Sequence, residues 1–154
     1  MENNLAAIDM IRGMGLFGHA LRPDLKLPMI ATRDVGDYAA QRLLDLDFSG
    51  RETREVLGER DLSMMEVTAA IALGIGKPDL RYEQFSYDQV RQGLAQMGWS
   101  PKKAAVYIEM FEAINGGLLV AQEPRSPKNS TPTTFETFVR DVFVPAYHTK
   151  AHSA

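Results

Sequence analysis

"GMGLFG", Gly13 to Gly18, carries the spacing G-x-G-x-x-G, and the way its flanks read decides the fold. In a dinucleotide-binding domain such a turn follows a buried strand, opens a helix whose amides face the pyrophosphate, and precedes a ribose-binding acid by about 20 residues. The flanks here differ. "NLAAIDMIR", Asn4 to Arg12, puts Leu5, Ile8 and Ile11 on one helical face and Asp9 and Arg12 on the other, which predicts one or two helical turns. Only His19 to Arg22 separate Gly18 from Pro23, and Pro28 follows, so a helix able to aim its dipole at a phosphate has no room. Asp34 and Asp37 stand near the ribose-acid offset, but Asp34 is placed to cap the helix it precedes. The segment therefore predicts a glycine-rich helix exit and loop.

Downstream, strand and helix signals alternate. "LPMIAT", Leu27 to Thr32, reads as a strand, and the next residues place Val35, Tyr38, Ala39, Arg42, Leu43 and Leu46 on one helical stripe, with Gly50 beyond the end. A weak strand is expected around Arg54 to Leu57. Ser63 and Glu66 have capping-box spacing and launch a helix through Met64, Val67, Ile71 and Ile75, stopped by Gly76-Lys77-Pro78. Leu80 to Phe85 reads as a short strand, Ser86 to Gln89 as a second capping box, and Ser100-Pro101 as an N-cap with proline at the first helical position. After the polar stretch "QEPRSPKNSTPTT" a last helix carries Phe135, Phe138, Val139, Val142 and Phe143 on its apolar side. No internal repeat is visible.

The 154 residues are the size of one domain, with 45% hydrophobic and 24% charged residues. No apolar run approaches the roughly 20 residues that cross a bilayer. Absence of cysteine excludes disulfides, thiolate metal sites and a cysteine nucleophile. The net charge is −3 and the basic residues are dispersed apart from Lys102-Lys103, which argues against a nucleic-acid partner. Acidic Glu2 precedes any basic residue, so no secretory signal is read and a cytoplasmic location is expected.

Other constellations carry little chemistry. Tyr38 and Tyr87 have Arg42 and Arg91, not lysine, four residues on, so neither forms the Tyr-x-x-x-Lys pair that exchanges a proton in short-chain dehydrogenases. His19, His148 and His152 lack metal-ligand spacing. Met64 and Met65 are expected in the core, and Trp99, the single tryptophan, over a joint between helices. A helix-turn-helix DNA reader on Ser63 to Ile75 is disfavoured by the lack of basic residues on its outer face.

Four stretches together, "MENNLAAIDMIRGMG", "LPMIATRDVGDYAAQRLL", "VLGERDLSMMEVTAAIALGIGKPDLRYEQF" and "TPTTFETFVRD", resemble the C-terminal part of the NmrA-like proteins, an extended branch of the short-chain dehydrogenase/reductase superfamily. The resemblance covers the chain to about Pro145. It implies an α/β fold, namely an incomplete Rossmann-type fold in which residues 1–145 supply the substrate-side region with several helices and a few short strands, followed by a flexible tail over 146–154. In that family an N-terminal glycine-rich half binds NAD(P), and members are reductases of quinones or small carbonyl compounds, or nucleotide-binding redox sensors. The family's glycine turn lies far upstream of the matching segment. Met1, Glu2 and Asn3 match its Phe-x-Glu-Asn loop beside the nicotinamide, without the aromatic, and are the cofactor contacts that the resemblance implies. The expectations are a truncated reading frame or dissected fragment, inactive alone and binding no nucleotide by itself, that works on a small-molecule substrate in the intact protein. An uncovered strand edge and apolar face would then drive homo-oligomerisation or pairing with another chain. The alternative is a non-catalytic regulatory or protein-binding module.

Overall fold

The computed structural model describes residues 1–118 and 120–149. A 3-10 turn over Glu2–Ala7 runs into α1, Ile8–Met14, which buries Ile8 and Ile11 on the face their spacing sets. Gly15 ends α1 in the left-handed region, at φ 66°, where a side chain would be strained. The residues after it do not form the loop expected from GMGLFG. Leu16–His19 are a strand, β1, paired in parallel with β4, Arg81–Gln84, so that Phe17 stands opposite Tyr82 and Gly18 opposite Glu83. A Cβ on Gly18 would lie 2.0 Å from the Phe85 ring. That glycine therefore makes room for an aromatic ring.

A second two-stranded sheet pairs β2, Leu27–Pro28, antiparallel with β3, Asp61–Leu62. The strand expected over Leu27 to Thr32 is cut short because α2, Thr32–Asp45, begins at Thr32. Around Arg54 to Leu57 no regular strand forms; Leu57 makes one isolated parallel bridge to Ser130. Gly58 is pinned there, since a Cβ would fall 1.9 Å from the Met29 carbonyl oxygen.

The three serine caps form as their spacing predicts. Ser63 and Glu66 close a capping box on α3, Met64–Gly74, and Ser86 and Gln89 close one on α4, Tyr87–Gln96. Ser100 accepts from the Lys103 amide at the start of α5, Pro101–Asn115. The last helix runs from Phe135 to His148 in three parts, α6 (Phe135–Phe138), a π-helical turn (Val139–Phe143) and α7 (Val144–His148). Pro145 accounts for the irregularity: in an unbroken α-helix its ring would press on the carbonyl four residues earlier, and a one-residue widening relieves that.

The core joins α1, β1, α3 and the last helix, with Ile11, Val67, Ile71, Phe135, Phe138 and Phe143 excluded from solvent. Phe111 of α5 reaches it from the other side of the sheet. Met64 is in this core but Met65, its neighbour, is 60% exposed, so only one of the two expected core methionines is buried. Of the expected tail, residues 146–148 belong to α7, with Ala146 and Tyr147 packed against the core, and residues 150–154 lie outside the described residues. The chain is thus mixed α/β, with two small sheets. Among the described residues no helix is long and apolar enough to cross a membrane.

Candidate functional site

Parallel strands aim their carboxyl ends at one place, and in α/β proteins that end is where ligands gather. Beyond β1 and β4 the chain collects His19, Gln84, Tyr82, Tyr87 and Asn115. His19 Nδ1 accepts from the Leu21 amide at 3.3 Å, which assigns the remaining proton of a neutral ring to Nε2. The imidazole stands edge-on to Phe111, with ring centroids 4.9 Å apart. Burial lowers its pKa below the ordinary histidine value, so at neutral pH the ring is an uncharged donor.

The other polar groups there are committed to the backbone. Tyr82 donates its hydroxyl proton to the Leu21 carbonyl at 2.6 Å, and burial raises its pKa well above an ordinary phenol. Asn115 is satisfied at both ends: its Nδ2 donates to the Ala20 carbonyl and to the Tyr87 hydroxyl, each at 2.9 Å, and its Oδ1 accepts from the Arg22 amide. These contacts fix the loop that leaves β1. His19 alone of this group keeps a donor that the described residues do not engage.

The residues expected beside a nicotinamide lie at another place, near the start of α2. Glu2 is half-buried and its carboxylate accepts from the Thr32 amide at 3.1 Å, capping a helix whose own N-cap residue, Ala31, has no side-chain acceptor. Burial pushes this carboxyl up, and hydrogen bonds from the backbone amides of Glu2 and Thr32 outweigh it, leaving the pKa below the ordinary value. The Met1 side chain packs on the core and Asn3 is exposed. Asp34, expected to be the helix cap, is instead buried in the first turn, where its carboxylate accepts from the Thr133 hydroxyl at 2.6 Å and the Thr133 amide at 3.0 Å. It ties α2 to the segment that leads into the last helix.

These residues do not fit a dinucleotide by themselves. The glycine-rich segment leaves a helix and enters a strand that no helix follows directly, and Glu2 is occupied at Thr32. The tyrosine–arginine pairs are also occupied: Arg42 pairs with Asp47 and Glu52, and Arg91 with Asp88. Among the described residues no cluster of three or more histidines and carboxylates could hold a metal.

Two regions that composition did not flag stand out. Arg12, expected on an outer face with Asp9, closes the end of α7 by donating to the carbonyls of Ala146, Tyr147 and Thr149. Beyond its first turn α2 turns apolar side chains to solvent: Leu43, Leu44 and Leu46 are 64%, 78% and 74% exposed, with Phe48 close by.

No family model matches the chain. Over 116 residues it is 26% identical to the Prestalk A differentiation protein A of Dictyostelium discoideum, a match covering 74% of this chain and 38% of that protein. The chain thus spans well under half the length of this relative.

Proposed function

We propose that this chain is the substrate-side part of an NmrA-like NAD(P)-dependent oxidoreductase or nucleotide-sensing protein, with an incomplete Rossmann-type fold, and that it is inactive alone. The observation carrying this reading is the bare apolar flank of α2. A 14-residue helix anchored firmly at its first turn, with three leucines left in water, is what remains when the body it should pack against is missing. The polar cluster at the carboxyl ends of β1 and β4 and the partial span of a longer relative support the same reading. Here the substrate would be a small molecule with a polarisable oxygen, and His19 Nε2–H is the group of this chain fit to donate to it. NAD(P) would be held by residues other than those described and would supply the redox step.

The test is a chimera in which this chain replaces the matched 116-residue segment of the Dictyostelium protein, compared with that protein intact and with this chain alone. NADPH is titrated by fluorescence. The chimera and the intact relative should saturate in roughly the micromolar range while the isolated chain shows no binding up to about 1 mM. Saturable binding by the isolated chain would instead favour a self-sufficient module.

A further inference from the structure

Where α4 gives way to α5, independently of the reading above, an open trough of about 560 Å³ lies along the outer face of α5. Its walls are Trp99, Val106, Tyr107 and Met110, one helical stripe plus the tryptophan that precedes it. The Trp99 and Tyr107 rings are 5.2 Å apart and tilted by 58°, which makes a corner able to take a flat or linear apolar body. Val106 is 62% exposed, so an aliphatic wall faces water with nothing packed on it.

The charge at one end of this trough is unbalanced. Lys102 and Lys103 occupy the first turn of α5, which contains no acid. Among the described residues neither has a carboxylate within 4.0 Å. The Lys103 ammonium is held 3.8 Å from the centre of the Trp99 ring, which fixes one positive charge at the lip of the apolar wall. Two cations at the positive end of a 15-residue helix are a locally unfavourable arrangement, contrary to the usual placement of acids there. A ligand that brought an anion to this end would relieve it, and one that also brought an apolar body would cover Val106 and Met110. The volume falls within that of small-molecule sites, roughly 300–1,000 Å³.

We propose that the trough beside Trp99 binds a small amphipathic carboxylate, with its apolar body against Trp99, Val106 and Met110 and its carboxylate at Lys102 and Lys103. Since Trp99 is the single tryptophan of the chain, its emission reports this site directly. The experiment titrates the full chain with decanoate, decanol and decyltrimethylammonium. Decanoate should shift the Trp99 emission saturably and at least about tenfold more tightly than the cation, with decanol between them. Lys102→Gln/Lys103→Gln, both exposed positions, should weaken decanoate about fivefold or more and leave decanol unchanged. Val106→Asp should abolish the response to decanoate while the far-ultraviolet dichroism stays that of the parent chain. An equal response to the three probes, a decanoate response surviving the double lysine variant, or a response to anionic phosphatidylglycerol vesicles without one to decanoate would each overturn the proposal.

Discussion

Helices α2 and α3 are alike in length and in content of aliphatic residues, yet they are held in opposite ways. In α3 the apolar positions Met64, Val67 and Ile71 are at most 2% exposed, packed against β4 and the last helix. In α2 the apolar positions beyond the first turn face solvent, and polar contacts do the holding: Glu2 and Asp34 at its start, and the Arg42 pairs with Asp47 and Glu52 near its end. One helix is fixed along its length by burial, and the other at its ends. The difference shows that a stripe at helical spacing reports a face that needs covering without saying whether this chain does the covering.

The strongest way to break the comparison is to truncate both helices. Ile71→Ala should destabilise the fold by about 2–5 kcal/mol in urea denaturation, whereas Leu44→Ala should stay within about 0.5 kcal/mol. Comparable losses would mean that α2 is packed in solution. Next in size, Asp34→Ala strands the amide and hydroxyl donors of Thr133 and should cost about 2 kcal/mol, with faster amide exchange spreading along α2 and sparing α3. Gly58→Ala, which drives a methyl group into the Met29 carbonyl, should cost about 1–3 kcal/mol and loosen the joint between β2 and the segment after α2.

A smaller effect concerns pH. The pKa of His19 is lower in the folded chain than in the unfolded one, so the unfolded state takes up the proton more readily. Its contribution is constant above the ordinary histidine value of about 6.5 and falls as the pH drops from there toward the folded value. Urea midpoints at about pH 7.5 and pH 5.5 should therefore differ more for the parent chain than for His19→Gln. The smallest change in stability should come from Leu43, Leu44 and Leu46 replaced together by Gln. The melting temperature should move by no more than about 2 °C, while dye binding and self-association, both readouts of the bare flank, should drop sharply. Unchanged dye binding would show that the sticky surface lies elsewhere.

Signals confined to a few consecutive residues were legible in the sequence. The Ser63 and Ser86 capping boxes, the Ser100-Pro101 start and the Gly76 stop each depend on atoms within one helical turn. What was hidden depends on distant partners. Strand β1 has four residues, one of them glycine, and exists because β4 lies some 65 positions away to pair with it. Asp34 has the residue type and position of a cap, yet Thr133, 99 residues on, draws its carboxylate inward. Arg12 looked like a surface charge until the end of α7 supplied carbonyls for it. In the candidate site the single histidine near the glycines was visible, but its tautomer and its place against Phe111 follow from the folded backbone.

The π-helical turn sets the phase of everything after it. Removing one residue between Val139 and Phe143 would let the helix close to ordinary geometry, and each later side chain would swing by about 100° around the axis. Tyr147 would leave its place over the Arg12 guanidinium, and the carbonyls that Arg12 serves would turn away with it. The widened turn works as an angular offset: a single extra residue, neutral in composition and silent in hydropathy, keeps the two halves of one helix aimed at different neighbours.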